Sequence, residues 1–259
     1  SILDGIVMGG GAGLMFGSSY RISTERTRFA MPEIGVGLFP DVGFTSVIKA
    51  LPDGLGLYMM LTATQLSAKD TIFCNLTDAS IKSEDINYLL SEITENIWLD
   101  EFQENIDLIG YLVKQNFYAD KVKDLPDSKI EKELDEIQAL TNEQELEKVC
   151  SNILSNHNDD DWYVRGRNSL KKGSPSSAHL IWHQCLNSAK LDLKEVFKFE
   201  LNLAIQVTRI GDFKEGIRAL IIDKDNSPKW RYDSIESVPI DWIKKHTDPA
   251  WQQNPLEDL

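Results

Sequence analysis

Positive charge is scarce in this chain. Its 259 residues hold 27 Lys+Arg against 41 Asp+Glu, a net charge of −14. A nucleic-acid binder wants a basic face, so this balance argues against nucleic acid as a direct partner. Long apolar runs are also missing, and none approaches the length of a membrane span. There are only three cysteines, Cys74, Cys150 and Cys185, far apart and odd in number. They read as buried thiols of a reducing compartment, not as a disulfide or metal framework. No Gly-x-Gly-x-x-Gly occurs, which removes a dinucleotide fingerprint. No Gly-x-Ser-x-Gly occurs, which removes a serine nucleophile elbow. His179 and His183 are spaced i, i+4 on a predicted helix. Leu180 takes the place where a zinc helix has its glutamate, and no third ligand is evident, so the pair reads as structural. The tryptophans likewise read as packing residues.

What the chain does have is a hydrophobic share of 42% in 259 residues, enough for a substantial core. It also has two loops that carry chemistry. The first is Met8-Gly9-Gly10-Gly11-Ala12-Gly13, an apolar strand running through glycines into a helix. Backbone N–H groups at such a helix start can approach a ligand oxygen closely. The second is Met31–Gly43, which places Glu33 and Asp41 in a Gly/Pro-punctuated loop rich in apolar residues. Oxyanion donors and a carboxylate in a dry pocket suit thioester chemistry. Each feature also has a plainer reading. The glycines alone could be a tight turn, Glu33 an exposed turn residue, and Asp41 the cap of the following helix.

The two loops and three further segments together carry a resemblance. They are Asp4–Gly11, Arg28–Glu33, Gly37–Gly43, Phe213–Asp225 with Ser227–Trp230, and more weakly Gly173–Ser177. On these residues the chain resembles the enoyl-CoA hydratase/isomerase (crotonase) superfamily. The match runs from the first residue to about Trp242 and is poor from about Lys82 to Asn168. The Gly37–Gly43 and Glu215–Asp225 runs together are similar to its hydrolase branch. Hydratases carry a second catalytic glutamate where this chain has Gly13, so the resemblance favours hydrolysis over hydration.

The resemblance implies an α/β fold: a spiral of ββα units with its N-terminal part outside this chain, followed by a helical region. Residues 1–81 would be the second half of the core, and 82–259 the helical lobe and C-terminal region. The implied activity is cleavage of a short β-hydroxyacyl-CoA thioester, 3-hydroxyisobutyryl-CoA of valine breakdown, in the mitochondrion. Gly10, flanked by Gly9 and Gly11, would hold the thioester oxygen together with a donor from the portion outside the chain. Gly10 is expected to need its missing side chain. Glu33 would be nucleophile or general base. Asp41 would orient the substrate hydroxyl or water, or protonate the leaving thiolate. The partner is an acyl-CoA, with no metal or other cofactor and no membrane. Partner expectations also include an oligomer or association with the mitochondrial ribosome; the alternatives to hydrolysis are a structural role in the mitochondrial ribosomal small subunit, and an enoyl-CoA hydratase or isomerase, which Gly13 disfavours. Glu215, Arg218, Asp223 and Asp225 would form a salt-bridged anchor for the C-terminal helix, and Lys224 or Lys229 could meet CoA phosphates.

The spacing of apolar residues predicts strands at Ile2–Met8, Tyr20–Ser23 and Arg28–Ala30, and helices at Gly11–Gly17, Thr45–Ala50 and Leu55–Thr62. Ser67-Ala68-Lys69-Asp70 reads as a capping box, and Asn75 as a left-handed helix end. Helical spacing recurs over Ile86–Gly110, Ser128–Leu140, Val196–Ile210 and Phe213–Ile222. The charge-dense stretch 124–147 reads as a solvated face. His157–Asp161 reads as a loop, and the tail after Lys245 as loosely held. Because Ser1 opens directly in a strand, the chain is expected to be a piece of a longer protein, poorly soluble and inactive alone.

Overall fold

Gly5 has a φ of 118° and breaks the expected strand Ile2–Met8 into β1 (Ile2–Leu3) and β2 (Ile6–Val7). The computed structural model describes residues 1–115 and 125–259. It divides into two compact units, each discontinuous in sequence: Ser1–Ala30 with Gln65–Glu133, and Met31–Thr64 with Leu134–Leu259.

In the first unit, helix α1 (Gly10–Phe16) follows β2, and then come β3 (Ile22–Thr24) and β4 (Arg28–Phe29). After α4 (Ala68–Phe73) the sheet gains β5 (Ala79–Ile81), a three-residue strand too short to announce itself in the sequence. The strands pair in parallel as β1-β3-β5 and as β2-β4. Ile2 lies opposite Ile22, and Ile6 opposite Arg28, so one ββ unit stacks on the next. Ile81, where the sequence marks the end of the core, closes β5 within this unit.

Strands this short contribute few ladder bonds, so side-chain burial carries the sheet. Ile22, Ala79 and Ile81 cluster with Leu89 of α5 (Ile86–Glu95) and Val113 of α6 (Phe102–Val113). Each fully buried aliphatic contributes about 1.5–3 kcal/mol. The predicted helical stretch over Ile86–Gly110 is therefore two helices, interrupted between Glu95 and Phe102. Ser67 and Asp70 form the expected capping box, and Asn75 adopts φ 55° at the helix end. Asp70 does more than cap: it also accepts from Ser128 Oγ (2.7 Å) and Ile130 N (2.9 Å). Part of the charged stretch shows its solvated face on α7 (Lys129–Thr141), where Ile130, Ile137 and Leu140 are buried while Glu131, Lys132, Asp135 and Glu136 are exposed. Asp124 lies outside the described residues.

The second unit is helical. It holds α2 (Phe44–Ile48), α3 (Leu55–Thr62), α8 (Leu146–Ser155), α9 (Asp161–Lys172), α10 (Pro175–Ser188), α11 (Leu193–Ile210), α12 (Phe213–Ile217) and α13 (Ile240–Thr247). All eight residues of α3 are buried, as expected of a helix apolar on every side. Trp162 stacks on Tyr58 at 5.5 Å, and Trp242 packs edge-on against Tyr232. His179 meets the Ile235 carbonyl at 2.9 Å and His183 stacks on Phe199, so both imidazoles are occupied by helix packing. The tail is a correction. His246 is fully buried, Ala250 N donates to Asn202 Oδ1 (2.6 Å), and Lys198 pairs with Glu257, so α11 holds the chain end down.

Candidate active site

Glu33 opens a 3₁₀ turn, Glu33–Val36, directly after Pro32. Proline fixes its own φ and cannot continue a strand, so the chain turns there. The turn is pinned from outside. Ser174 N donates to the Ile34 carbonyl (3.0 Å). α12 lies so close that a Cβ on Gly216 would overlap the Val36 carbonyl, which is why that position needs glycine. Glu33 is 6% exposed, and its Oε2 has no hydrogen-bond partner among the described residues. Burial pushes its carboxyl up to about 8, and the charge of Asp41 adds to the effect.

Asp41 is half-buried, and burial raises its carboxyl too. It begins the turn Asp41-Val42-Gly43, in which Val42 has φ 57° and Gly43 φ 83°. A β-branched residue in the left-handed region is strained by of order 1–3 kcal/mol. The reading of Asp41 as a helix cap is not met: α2 has Gly43 at its N-cap and no cap from its own segment. The amides there are taken by Glu200, whose Oε2 accepts Gly43 N at 2.7 Å and Oε1 accepts Thr45 N at 3.0 Å. Gln184 Nε2 donates to the Pro40 carbonyl (2.6 Å) and to Thr45 Oγ1 (2.9 Å).

Glu200 was not among the expected site residues, although the sequence holds a trace of it. It falls in register with Val196, Leu203 and Val207, all buried on one face of α11. A carboxylate on an apolar helix stripe is rarely there without a partner. Burial raises its carboxyl, and the charge of Asp41 adds.

The glycine loop belongs to the first unit. Gly9, with φ 51° and ψ −127°, caps α1 in a conformation open to glycine. Gly11 N is used on the Met8 carbonyl (3.1 Å), whereas Gly10 N has no acceptor among the described residues. Gly10 and Gly11 are exposed. Gly10 itself has ordinary backbone angles, and an added Cβ would meet no atom within 4 Å. The backbone requirement expected at Gly10 therefore falls on Gly9.

Arg218 is the centre of the third expected group. Its guanidinium pairs with Glu215 (2.8 Å), Asp223 (2.6 Å) and Asp225 (2.7 Å), and donates to the Ser227 carbonyl (3.2 Å). Glu215 also accepts from Lys229 N (2.7 Å). These bonds tie a local loop together, with α12 seated on the Glu33 turn. A cavity of about 470 Å³ is lined by Leu154, Leu170, Pro175, Ala178 and Ile235 among others, and by neither Glu33 nor Asp41.

The enoyl-CoA hydratase/isomerase family matches residues 1–247. The chain is similar to a protein named mitochondrial 3-hydroxyisobutyryl-CoA hydrolase in Xenopus laevis, with 31% identity over 244 residues, covering 94% of this chain and 61% of the relative. The same name belongs to a human relative, 30% identical over 247 residues, covering 95% and 62%. The chain thus spans about three fifths of the length of these relatives. Among solved structures it is similar to an enoyl-CoA hydratase from Rhodobacter sphaeroides 2.4.1, with TM-score 0.79, 26% identity and coverage of 96% and 68%. A carnitinyl-CoA dehydratase from Mycobacterium thermoresistibile gives TM-score 0.83 at 24% identity, covering 100% and 70%, a likeness of fold.

Proposed function

The chain belongs to the enoyl-CoA hydratase/isomerase family and has the crotonase fold, and from that membership we propose that the protein hydrolyses a short 3-hydroxyacyl-CoA thioester. The names of its relatives point to 3-hydroxyisobutyryl-CoA as substrate and to the mitochondrion as the compartment. Turnover of this ester in valine breakdown is part of the proposal.

The observation that carries the reading is Glu33, a carboxyl buried against a neighbouring acid with one oxygen unpartnered. A carboxyl that titrates near 8 is a good base once ionised. It can take the proton as water attacks the acyl carbon, or attack that carbon itself, expelling the thiolate and leaving an acyl anhydride that water then hydrolyses. Water attack forms a C–O bond, and collapse of the tetrahedral centre breaks the C–S bond. The departing thiolate then needs a proton. A free thiol titrates at about 8.5, so a carboxyl near 8 is matched to return the proton to sulfur. Asp41 is the second acid, placed to orient water or the substrate hydroxyl, or to supply that proton. Gly13 supports hydrolysis, since adding water across a double bond uses a second carboxylate that this position lacks. The Gly10 N–H is the donor proposed for the thioester oxygen.

The test is thiol release from 3-hydroxyisobutyryl-CoA by the full-length protein. Release with Glu33-dependent turnover is expected. Hydration of crotonyl-CoA without cleavage would overturn the reading. So would co-sedimentation with mitochondrial ribosomal small subunits in a protein that releases no thiol.

A further inference from the structure

We propose that Glu200 is a positioning residue for this reaction, its carboxylate clamping the turn that carries Asp41. The proposal rests on the hydrolytic reading and deepens it. Glu200 is 4% exposed on a helix face otherwise lined by Val196, Leu203 and Val207. Packing alone would be served by an aliphatic residue there, and a buried carboxylate is costly unless it is used. Both oxygens are used: one on Gly43 N at 2.7 Å and one on Thr45 N at 3.0 Å.

The turn they hold is one that needs holding. Val42 and Gly43 are consecutive left-handed residues, and a valine adopts that conformation only where its surroundings enforce it. Gln184 fixes the Pro40 carbonyl on the near side of Asp41, and Glu200 fixes the Gly43 amide on the far side. Asp41 is therefore bracketed within its backbone. The bracket also divides labour. An aspartate just before a helix ordinarily caps it. Here Glu200 takes the Gly43 and Thr45 amides, so the Asp41 side chain makes no capping bond to α2. Asp41 is also electrically close to both other acids, since its charge raises Glu33 and Glu200 alike.

The test uses Glu200→Gln and Glu200→Ala in the full-length protein, with Leu203→Ala as a control that weakens the packing of the same helix and removes no hydrogen bond to the turn. Three things are measured: amide exchange at Gly43 and Thr45, steady-state kinetics on 3-hydroxyisobutyryl-CoA, and thermal melting. The Gln variant keeps one acceptor and loses the other. It should speed exchange at one of the two amides by about tenfold and lower kcat by about tenfold, with KM within about twofold. The Ala variant should release both amides and lower kcat further. Leu203→Ala should lower the melting temperature and keep kcat. Unchanged exchange in both Glu200 variants would overturn the clamp. Unchanged kcat despite open amides, or an equal kcat loss in Leu203→Ala at equal destabilisation, would overturn the positioning role. If wild type releases no thiol, the hydrolytic reading is what fails, and amide exchange still decides the clamp.

Discussion

Glu33 and Glu200 are buried and Asp41 half-buried, and among the described residues no ion pair reaches them, whereas Glu215, Asp223 and Asp225 close around the guanidinium of Arg218. Both groups lie in the second unit and are built from the same side chains. Burial raises all three carboxyls of the first group. In the second, hydrogen bonds from Arg218 and Lys229 N hold Glu215 down to about 2, and Arg218 likewise lowers Asp225. An acid denied a cation and water is held ready to carry a proton; an acid given both becomes a fixed charge. Of these acids, Glu33, pushed up to about 8, is the one matched to proton transfer near neutral pH.

The strongest way to break this contrast is to make one substitution in both groups. Glu33→Gln should lower kcat by about 10²-fold or more while acyl-CoA binding stays nearly intact. Glu215→Gln should keep kcat within about twofold of wild type, since its carboxylate bonds to Arg218 and Lys229 N and not to Glu33 or Asp41. Equal losses in the two variants, measured by thiol release, would erase the distinction.

Next in size is Asp41→Asn, which should lower kcat less severely than Glu33→Gln. It should also sharpen the electrostatic side of the contrast. As a base, Glu33 must be ionised, so kcat/KM of wild type should rise with pH to a limb near 8. Because the charge of Asp41 helps raise Glu33, the Asn variant should carry that limb to lower pH. A pH–rate profile that falls between pH 7 and 9 would recast Glu33 as an acid.

Stability should show the same opposition with smaller effects. The folded-state value of Glu33, about 8, lies above its ordinary 4.5, so the native state binds the extra proton between those limits. Its contribution is fully present below about pH 4.5 and is lost as pH rises through 8. Glu33→Gln should therefore melt above wild type at high pH, with the gap closing as pH falls toward 4.5. Glu215 runs the other way. Its folded value near 2 lies below 4.5, so its contribution is present above pH 4.5 and disappears as pH falls through 2. Thermal melts across pH check both directions.

The smallest effect belongs to Arg218→Met. Its pairs are partly solvent-exposed, so melting should drop slightly, and the drop should shrink at about 0.5 M salt. A large, salt-independent loss would show that the knot does more than shape a loop.

Where a signal is local, the sequence is readable. The Ser67/Asp70 box, the left-handed Asn75, the Leu55–Thr62 helix and the Arg218 knot all join residues within a few positions of each other. The Glu33–Asp41 loop is readable because both acids sit in one glycine- and proline-marked stretch. What escapes is what depends on distant partners. Glu200 meets the turn across 157 positions, so its role is invisible until α11 and α2 are side by side. Gly5 looks like any strand glycine until its φ splits the strand. The tail appears loose until the buried Trp242 and His246 dock it.

The helix Leu55–Thr62, buried on every side, has a consequence for synthesis. Its cover includes α9 and α10, and Trp162 of α9 stacks on its Tyr58. About a hundred residues separate the end of this helix from the start of that cover, and at typical elongation speeds they take roughly 5–20 s to emerge. For that interval the nascent chain carries an eight-residue apolar segment that lacks the α9 and α10 part of its cover. Such a segment is a natural handhold for holdase chaperones and an aggregation hazard in their absence.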